Sequence, residues 1–265
     1  MRITVLGSGS RGNALVVEFG ATRIAVDAGF GPRALARRLR ESGIEPESVQ
    51  AGVITHEHQD HAQGAFHARA KWRWSLISHA ATFASIGAGA AVARLIMPEF
   101  GQAVEVDGVR ITLYPIPHDA AAPAAVVLEH IATGQRVGVA HDLGRVPEAL
   151  VAPFRDLDMA VIEANHDVEM LRNGPYPHSL QRRVSGGAGH LSNAQSGAWI
   201  REIASPRLQH VILAHLSETN NRPELAVGAV REALKGSACR AVVAAADQRS
   251  PYTAGAVSPS QLALW

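Results

Sequence analysis

The sequence predicts an α/β fold in which two sheets pack face to face with helices outside. Short strand-like runs alternate with helical patterns along the whole chain. Hairpin signals crowd the first part, whereas helices become denser later. The composition fits a packed core: 47% of the 265 residues are hydrophobic and 18% charged, which excludes a disordered or fibrous chain.

Taken in order, residues 2–6, 14–19 and 23–27 are β-branched, apolar and punctuated by glycine, and read as strands. Residues 31–43 follow as a helix, with Leu35 and Leu39 at helical spacing and a glycine at the end. Residues 50–55 read as a short buried strand. Residues 104–106 and 109–114 flank Asp107-Gly108, a strong two-residue hairpin turn, and 124–131 and 136–140 flank Thr133-Gly134, a second hairpin candidate. Residues 157–163, 210–214 and 241–244 are further strands, the last expected to close the fold, and 192–203 and 222–234 are helices. The stretch from Gln248 is rich in Ser, Pro, Ala and Gly and reads as a loosely held tail. Without a repeat or long linker, residues 1–265 read as one domain.

Charge and composition narrow the function classes. With 25 basic against 24 acidic residues, the net charge is +1, so nucleic acid is not bound through bulk charge alone. No run approaches the ~18 consecutive apolar residues of a membrane span. The start of the chain reads as a strand rather than an export signal, and cytoplasmic residence is expected. A single cysteine, Cys239, excludes an internal disulfide and a Cys-rich zinc site. The unusual feature is thirteen histidines, the side chain that most often ligates metals.

Gly7-Ser-Gly-Ser-Arg-Gly12 fits GxGxxG after a strand, with Asp27 near the distance expected of a ribose-binding acid. A dinucleotide site needs a helix at those glycines. Here Asn13-Ala-Leu-Val-Val-Glu-Phe19 is a strand pattern, so a tight glycine turn between two strands is the preferred reading.

The chemistry concentrates in Thr55-His56-Glu57-His58-Gln59-Asp60-His61, at the end of a strand. In an extended segment residues two apart share a side, so His56 and His58 can face one ion. Asp60 and His61 fall where the chain turns into a helix and can face a second. The bland alternative is a histidine-rich surface loop. Against it, His118, Asp142 and His215 each follow a strand as well, bringing the ligand-type side chains to seven, enough for two ions. Nitrogen and oxygen donors of this kind suit Zn²⁺ or Mn²⁺.

This pattern resembles the metallo-β-lactamase superfamily over nearly the whole chain, which implies a four-layer αββα sandwich. By that resemblance His56, His58 and His118 hold one divalent ion, Asp60, His61 and His215 the other, and Asp142 bridges both, while Asp27 braces the metal loop. The strings Gly7–Asn13, Thr55–His61, Pro117-His-Asp119, Glu163–Leu171, Asn173–Pro177, Gly189-His-Leu-Ser-Asn193 and Leu213–Ser217 are most similar to its YycJ/WalJ exonuclease-type group. One departure is His141 beside Asp142, where that group more usually has a small hydroxyl residue; it would alter only the surroundings of the bridge.

The implied activity is phosphodiester hydrolysis by a hydroxide generated between two metal ions, on DNA, with 5′→3′ exonuclease polarity. Two divalent ions outweigh Asp60, Asp142 and the hydroxide, leaving a positive centre suited to a phosphodiester. His190 is the expected proton donor and charge stabiliser, oriented by Glu163; a helix-capping role beside Ser192 is its bland alternative. His166, His178 and Asn193 are expected to line the substrate pocket or its rim, and Arg182 and Arg183 to contact phosphate. His67–Trp74 interleaves basic residues with two tryptophans and could stack bases, although a helix end with its tryptophans in the core is the simpler reading. His67, His79, His130 and His210 lack motif context and read as structural. Two alternatives remain at this point: hydrolysis of a thioester, lactone or β-lactam on the same ligands, and a non-catalytic metal-binding scaffold.

Overall fold

The hairpin signals fold as their turn chemistry dictates. In the structure, a computed structural model that describes residues 1–87 and 93–255, Asp107 and Gly108 both adopt positive φ, of 45° and 78°. This is the backbone hand that a two-residue turn between right-twisted strands requires. It joins Ala103–Val106 to Val109–Pro115 in register, with Val106 opposite Val109.

Fourteen strands and nine α-helical segments are present among the described residues. They run β1 (Arg2–Gly7), β2 (Ala14–Phe19), β3 (Thr22–Val26), α1 (Pro32–Glu41), β4 (Ala51–Val53), α2 (Gln59–Ala62), α3 (Ala65–His67), β5 (Ser75–Ile77), α4 (Ala80–Ser85) and β6 (Leu95–Ile96). The second half runs β7 (Ala103–Val106), β8 (Val109–Pro115), β9 (Ala124–His130), β10 (Gln135–Ala140), α5 (Glu148–Val151), β11 (Met159–Glu163), α6 (Val168–Asn173), α7 (His178–Val184), α8 (Asn193–Ile203), β12 (His210–Ala214), α9 (Pro223–Leu234), β13 (Val242–Ala245) and β14 (Tyr252–Gly255).

They form two sheets of seven strands, ordered β14-β1-β2-β3-β4-β5-β6 and β13-β12-β11-β10-β9-β8-β7. Each sheet is antiparallel where hairpins connect its strands and parallel where helices do: β3 through β6 in the first, β10 through β13 in the second. Three apolar clusters make the layers. One lies between the sheets, with Val5, Val17, Val53, Val126, Val139 and Val161 among its members. A second seals the first sheet against α1 through Leu35 and Leu39. The third seals the second sheet against α8 and α9 through Trp199, Ile200 and Val230. At roughly 1.5–3 kcal/mol for each large side chain fully buried, these three interfaces hold the four layers together.

Two expectations need correction. Residues 242–245 are not the last strand, and the segment after Gln248 is not a loose tail throughout. β14 pairs antiparallel with β1, Arg2 opposite Gly255 and Val5 opposite Tyr252, and makes the edge of the first sheet. Four residues among Pro, Ser and Gly give too short an alternation to read as a strand; the remainder of that tail, 256–265, lies outside the described residues. Trp72 and Trp74 are buried, and the Trp74 indole N–H donates to the Pro46 carbonyl at 2.7 Å. They serve the core, not base stacking. Gly7–Gly12 is a turn between antiparallel β1 and β2, as expected.

Candidate metal centre

The site forms at one end of the two sheets, for the most part where parallel strands end. Asp27 follows β3, His56–His61 follow β4, His118 follows β8, Asp142 follows β10, Glu163 ends β11 and His215 follows β12. The C-terminal ends of parallel strands are where α/β folds open a crevice. Asp27, Asp142 and His215 adopt positive φ of 61°, 55° and 54°, an uncommon conformation for residues other than glycine. Such strain persists only where the surroundings over-determine it, and here it turns Asp142 and His215 into the crevice and sets Asp27 behind it against His61.

The seven expected ligands converge. Donor atoms of His56, His58 and His118 lie within 4.8 Å of one another, as do those of Asp60, His61 and His215. Asp142 stands between the groups: its Oδ2 is 2.7 Å from His61 Nε2 and 3.9 Å from His56 Nε2, and its Oδ1 is 2.9 Å from His215 Nδ1. His56 Nε2 and His58 Nδ1 approach to 3.1 Å.

The donor set fits divalent cations. Asp142 Oδ2, His118 Nδ1 and His215 Nε2 are buried without a hydrogen-bond partner, although orphaned buried polar atoms are costly. Imidazole nitrogens and carboxylate oxygens turned toward one another in a buried space are suited to holding a cation between them. The surroundings also select the ligating atoms. Asp27 Oδ2 is 2.7 Å from His61 Nδ1, which assigns the proton to that nitrogen and leaves Nε2 facing Asp142. Thr55 Oγ1 donates to the same carboxylate at 2.9 Å and lies 3.1 Å from His56 Nδ1, so one aspartate braces two histidines. His141 is buried behind this acid, its Nδ1 3.6 Å from Asp27 Oδ2.

Protonation follows the same geometry. Burial together with neighbouring imidazoles pushes His56 well below its ordinary range. Burial alone would lower His190, but Glu163 and Asp142 hold it up at about 9. Burial would raise the Glu163 carboxyl, yet His190 and His215 bring it down to about 2. Glu163 is fully buried: Oε1 meets His190 Nδ1 at 2.7 Å and His215 Nδ1 at 3.2 Å, while Oε2 accepts from the Leu143 and Leu191 amides, both at 3.0 Å. Since Nδ1 is engaged, His190 Nε2 is the ring nitrogen left for the cleft.

That cleft, of about 800 Å³, is lined by His58, Asp60, His118, Asp142, His190 and His215 on one side and by Arg182, Arg183 and the 186–189 glycine loop on the other. Arg183 reaches Asp119 at 3.0 Å across an exposed ion pair. Three expected contact residues lie elsewhere. Asn193 is buried and exchanges two 2.8 Å amide hydrogen bonds with Asn221, so it clamps the start of α8. His178 is exposed at the start of α7 and does not line the cleft. His166 lines a separate hollow on another face of α7.

Other residues escaped the sequence reading. Asn13 is buried: its backbone N–H donates to the Asp60 carbonyl at 2.7 Å, and its side-chain amide lies 3.0 Å from His61 Nε2. Ser8 Oγ accepts from the His215 backbone N–H at 2.7 Å. A Cβ on Gly29 would lie 1.6 Å from the Asp60 carbonyl oxygen, so the metal loop and the β3 loop touch backbone to backbone. The glycine-rich stretch rejected as a dinucleotide fingerprint thus buttresses the ligands; the signal was its conjunction with Asn13.

Comparison with known proteins agrees with this architecture. A family profile described as "Beta-lactamase superfamily domain" matches residues 22–216. The chain is 28% identical over 239 residues to "Exodeoxyribonuclease YycJ" of Bacillus anthracis, covering 89% of each chain. It is 31% identical over 231 residues to "Exodeoxyribonuclease WalJ" of Streptococcus pneumoniae, covering 85% of each. The crystal structure of Zn²⁺-bound PqqB from Methylobacterium extorquens superposes with a TM-score of 0.72 at 18% identity, covering 97% of this chain and all of that one. The chain therefore belongs to the metallo-β-lactamase superfamily and is a metal-dependent hydrolase.

Proposed function

We propose that the chain is a dinuclear phosphodiesterase that degrades DNA as an exonuclease with 5′→3′ polarity. The observation that carries the reading is one cleft holding two ligand groups, the His190–Glu163 pair and two arginines. The names of the YycJ and WalJ relatives support DNA as the substrate. His56, His58 and His118 would hold one ion and Asp60, His61 and His215 the other, with Asp142 shared; Zn²⁺ and Mn²⁺ both suit this donor set. When bound, the ions supply an activated water and neutralise charge on the phosphoryl oxygens.

The chain's own groups do the rest. Arg182 and Arg183 face the cleft as donors for phosphate oxygens, and Arg183 exchanges Asp119 for substrate at little cost because that pair is exposed. His190, held protonated by Glu163, presents Nε2–H to the phosphoryl group and to the departing oxygen. Asp27 keeps His61, and through Thr55 His56, from rotating out of position.

The test is hydrolysis of end-labelled single- and double-stranded DNA and RNA with Mn²⁺, Zn²⁺ or Mg²⁺, beside bis-p-nitrophenyl phosphate and nitrocefin. Release of mononucleotides from the 5′ end of DNA supports the reading. Rapid nitrocefin turnover with inert diesters would replace it by hydrolysis of a carboxylic derivative.

A further inference from the structure

Beside the metal cleft lies a second hollow, of about 380 Å³, on another face of α7. Arg182 lines both. The hollow is walled by His166, Arg172, Arg182, Ser185 and Gln195 over the buried Leu171. We propose that it is a phosphate subsite for the nucleic-acid strand, taking the phosphate of a nucleotide one or two positions from the bond cut at the metals. The proposal rests on the phosphodiesterase reading above.

Four observations carry it. First, His166 is 2% exposed, yet its Nδ1 has no hydrogen-bond partner. A buried imidazole nitrogen without a partner is costly unless a ligand supplies one. Second, Arg172 and Arg182 have no ion-pair partner among the described residues, and no carboxylate lines the hollow. The adjacent Arg183, by contrast, is held by Asp119. Third, Gln195 Oε1 is consumed by the Ser192 N–H and hydroxyl at 2.8 and 2.9 Å, which leaves its amide NH₂ as the free end. The free groups of the wall are therefore mainly donors, matching phosphate oxygens. Fourth, the hollow is tied to the reacting centre by covalent chain. His166 stands three residues beyond Glu163 and is bridged to Ser192, two residues beyond His190. Three residues span at most about 11 Å, short enough for one strand to occupy both places.

Arg172 is exposed and lies outside the cleft, so its replacement leaves the fold intact. The probe is a fluorescein-labelled hexadeoxynucleotide with phosphorothioate linkages, bound to the metal-loaded protein and followed by anisotropy across a salt series. Arg172→Ala is expected to weaken binding roughly fivefold and to reduce the salt slope by about 0.7, one single-strand phosphate contact. Arg172→Glu is expected to weaken it further. Arg240→Ala, in a groove by β13, keeps wild-type affinity and slope. Equal affinity and slope for wild type and both Arg172 variants would overturn the subsite. A separate titration with inorganic phosphate distinguishes the source of the anion: phosphate binding lost in Arg172→Ala, with hexamer affinity unchanged, also overturns it. Failure of the underlying reading looks different, because the wild-type protein would then cleave neither DNA nor bis-p-nitrophenyl phosphate, whatever the Arg172 variants bind.

Discussion

His190 and Asp27 both touch the ligand cluster, but they do separable work. His190 faces the cleft and is tied to Glu163, so His190→Ala is expected to cut the turnover of a diester by about 10²–10⁴ while metal content stays at the wild-type level. Loss of metal in that variant would make His190 a ligand or a structural residue. Asp27 never reaches the cleft; it holds the Nδ1 side of His61 and, through Thr55, that of His56. Asp27→Asn keeps the volume and removes the charge, and is expected to weaken metal binding by about 10–100-fold, measured by competition with a chromogenic chelator. Wild-type affinity in Asp27→Asn would show that the histidines need no brace. These roles were legible only in part. The HxHxDH string advertises its ligands through spacing, whereas Asn13 and Ser8 act through one or two polar atoms on a backbone whose approach to Asp60 and His215 no spacing encodes.

At the scale of elements, local chemistry decides what can be read in advance. The strands with clear alternation or apolar runs, and the helices α8, with its Ser192–Gln195 capping box, and α9, opened by Pro223, fall within a residue or two of their expected bounds. β5, β6 and β14 have four residues or fewer and take their order from neighbouring strands, so no local pattern marks them. α7 is seven residues long and buries none of them, so it carries no apolar stripe to betray it, yet it forms one wall of the cleft. Asn193 shows how an expectation of substrate contact can mask a packing role. With its amide paired to Asn221, Asn193→Ala is expected to destabilise the fold by about 1–3 kcal/mol, and the melting temperature should fall by about 2–4 °C per kcal/mol. An unchanged melting temperature with weakened DNA binding would return Asn193 to the substrate. The contact between the β3 and β4 loops makes a matching prediction. Gly29→Ala forces a methyl into the Asp60 carbonyl and is expected to reduce bound metal, read by plasma mass spectrometry of the folded fraction; full occupancy would show that the two loops can separate without disturbing the ligands.

For the whole molecule, the site is what joins the two sheets at one edge of the sandwich. The first sheet supplies Asp27 and His56–His61, and the second supplies His118, Asp142, Glu163 and His215. Ions that bind only this assembled arrangement stabilise the fold by mass action. Free metal at a hundred times its dissociation constant is expected to add about 2.7 kcal/mol per site, seen as a higher melting temperature than that of chelator-treated protein. Identical melting curves would mean that the clusters do not bind ions in the folded state. The overall architecture was accessible from hairpin and helix patterns, and the meeting of distant histidines was expected from their places after strands and from the family resemblance; what was not legible is how it is achieved, because convergence depends on strand order and on three residues held at positive φ.

The most direct test of that convergence is an anomalous difference map from crystals grown with Mn²⁺ or Zn²⁺. Two peaks are expected, one among His56, His58 and His118 and the other among Asp60, His61 and His215, with the Asp142 carboxylate between them. A map with no peak in the cleft, or with metal only at a remote surface histidine, would contradict the account.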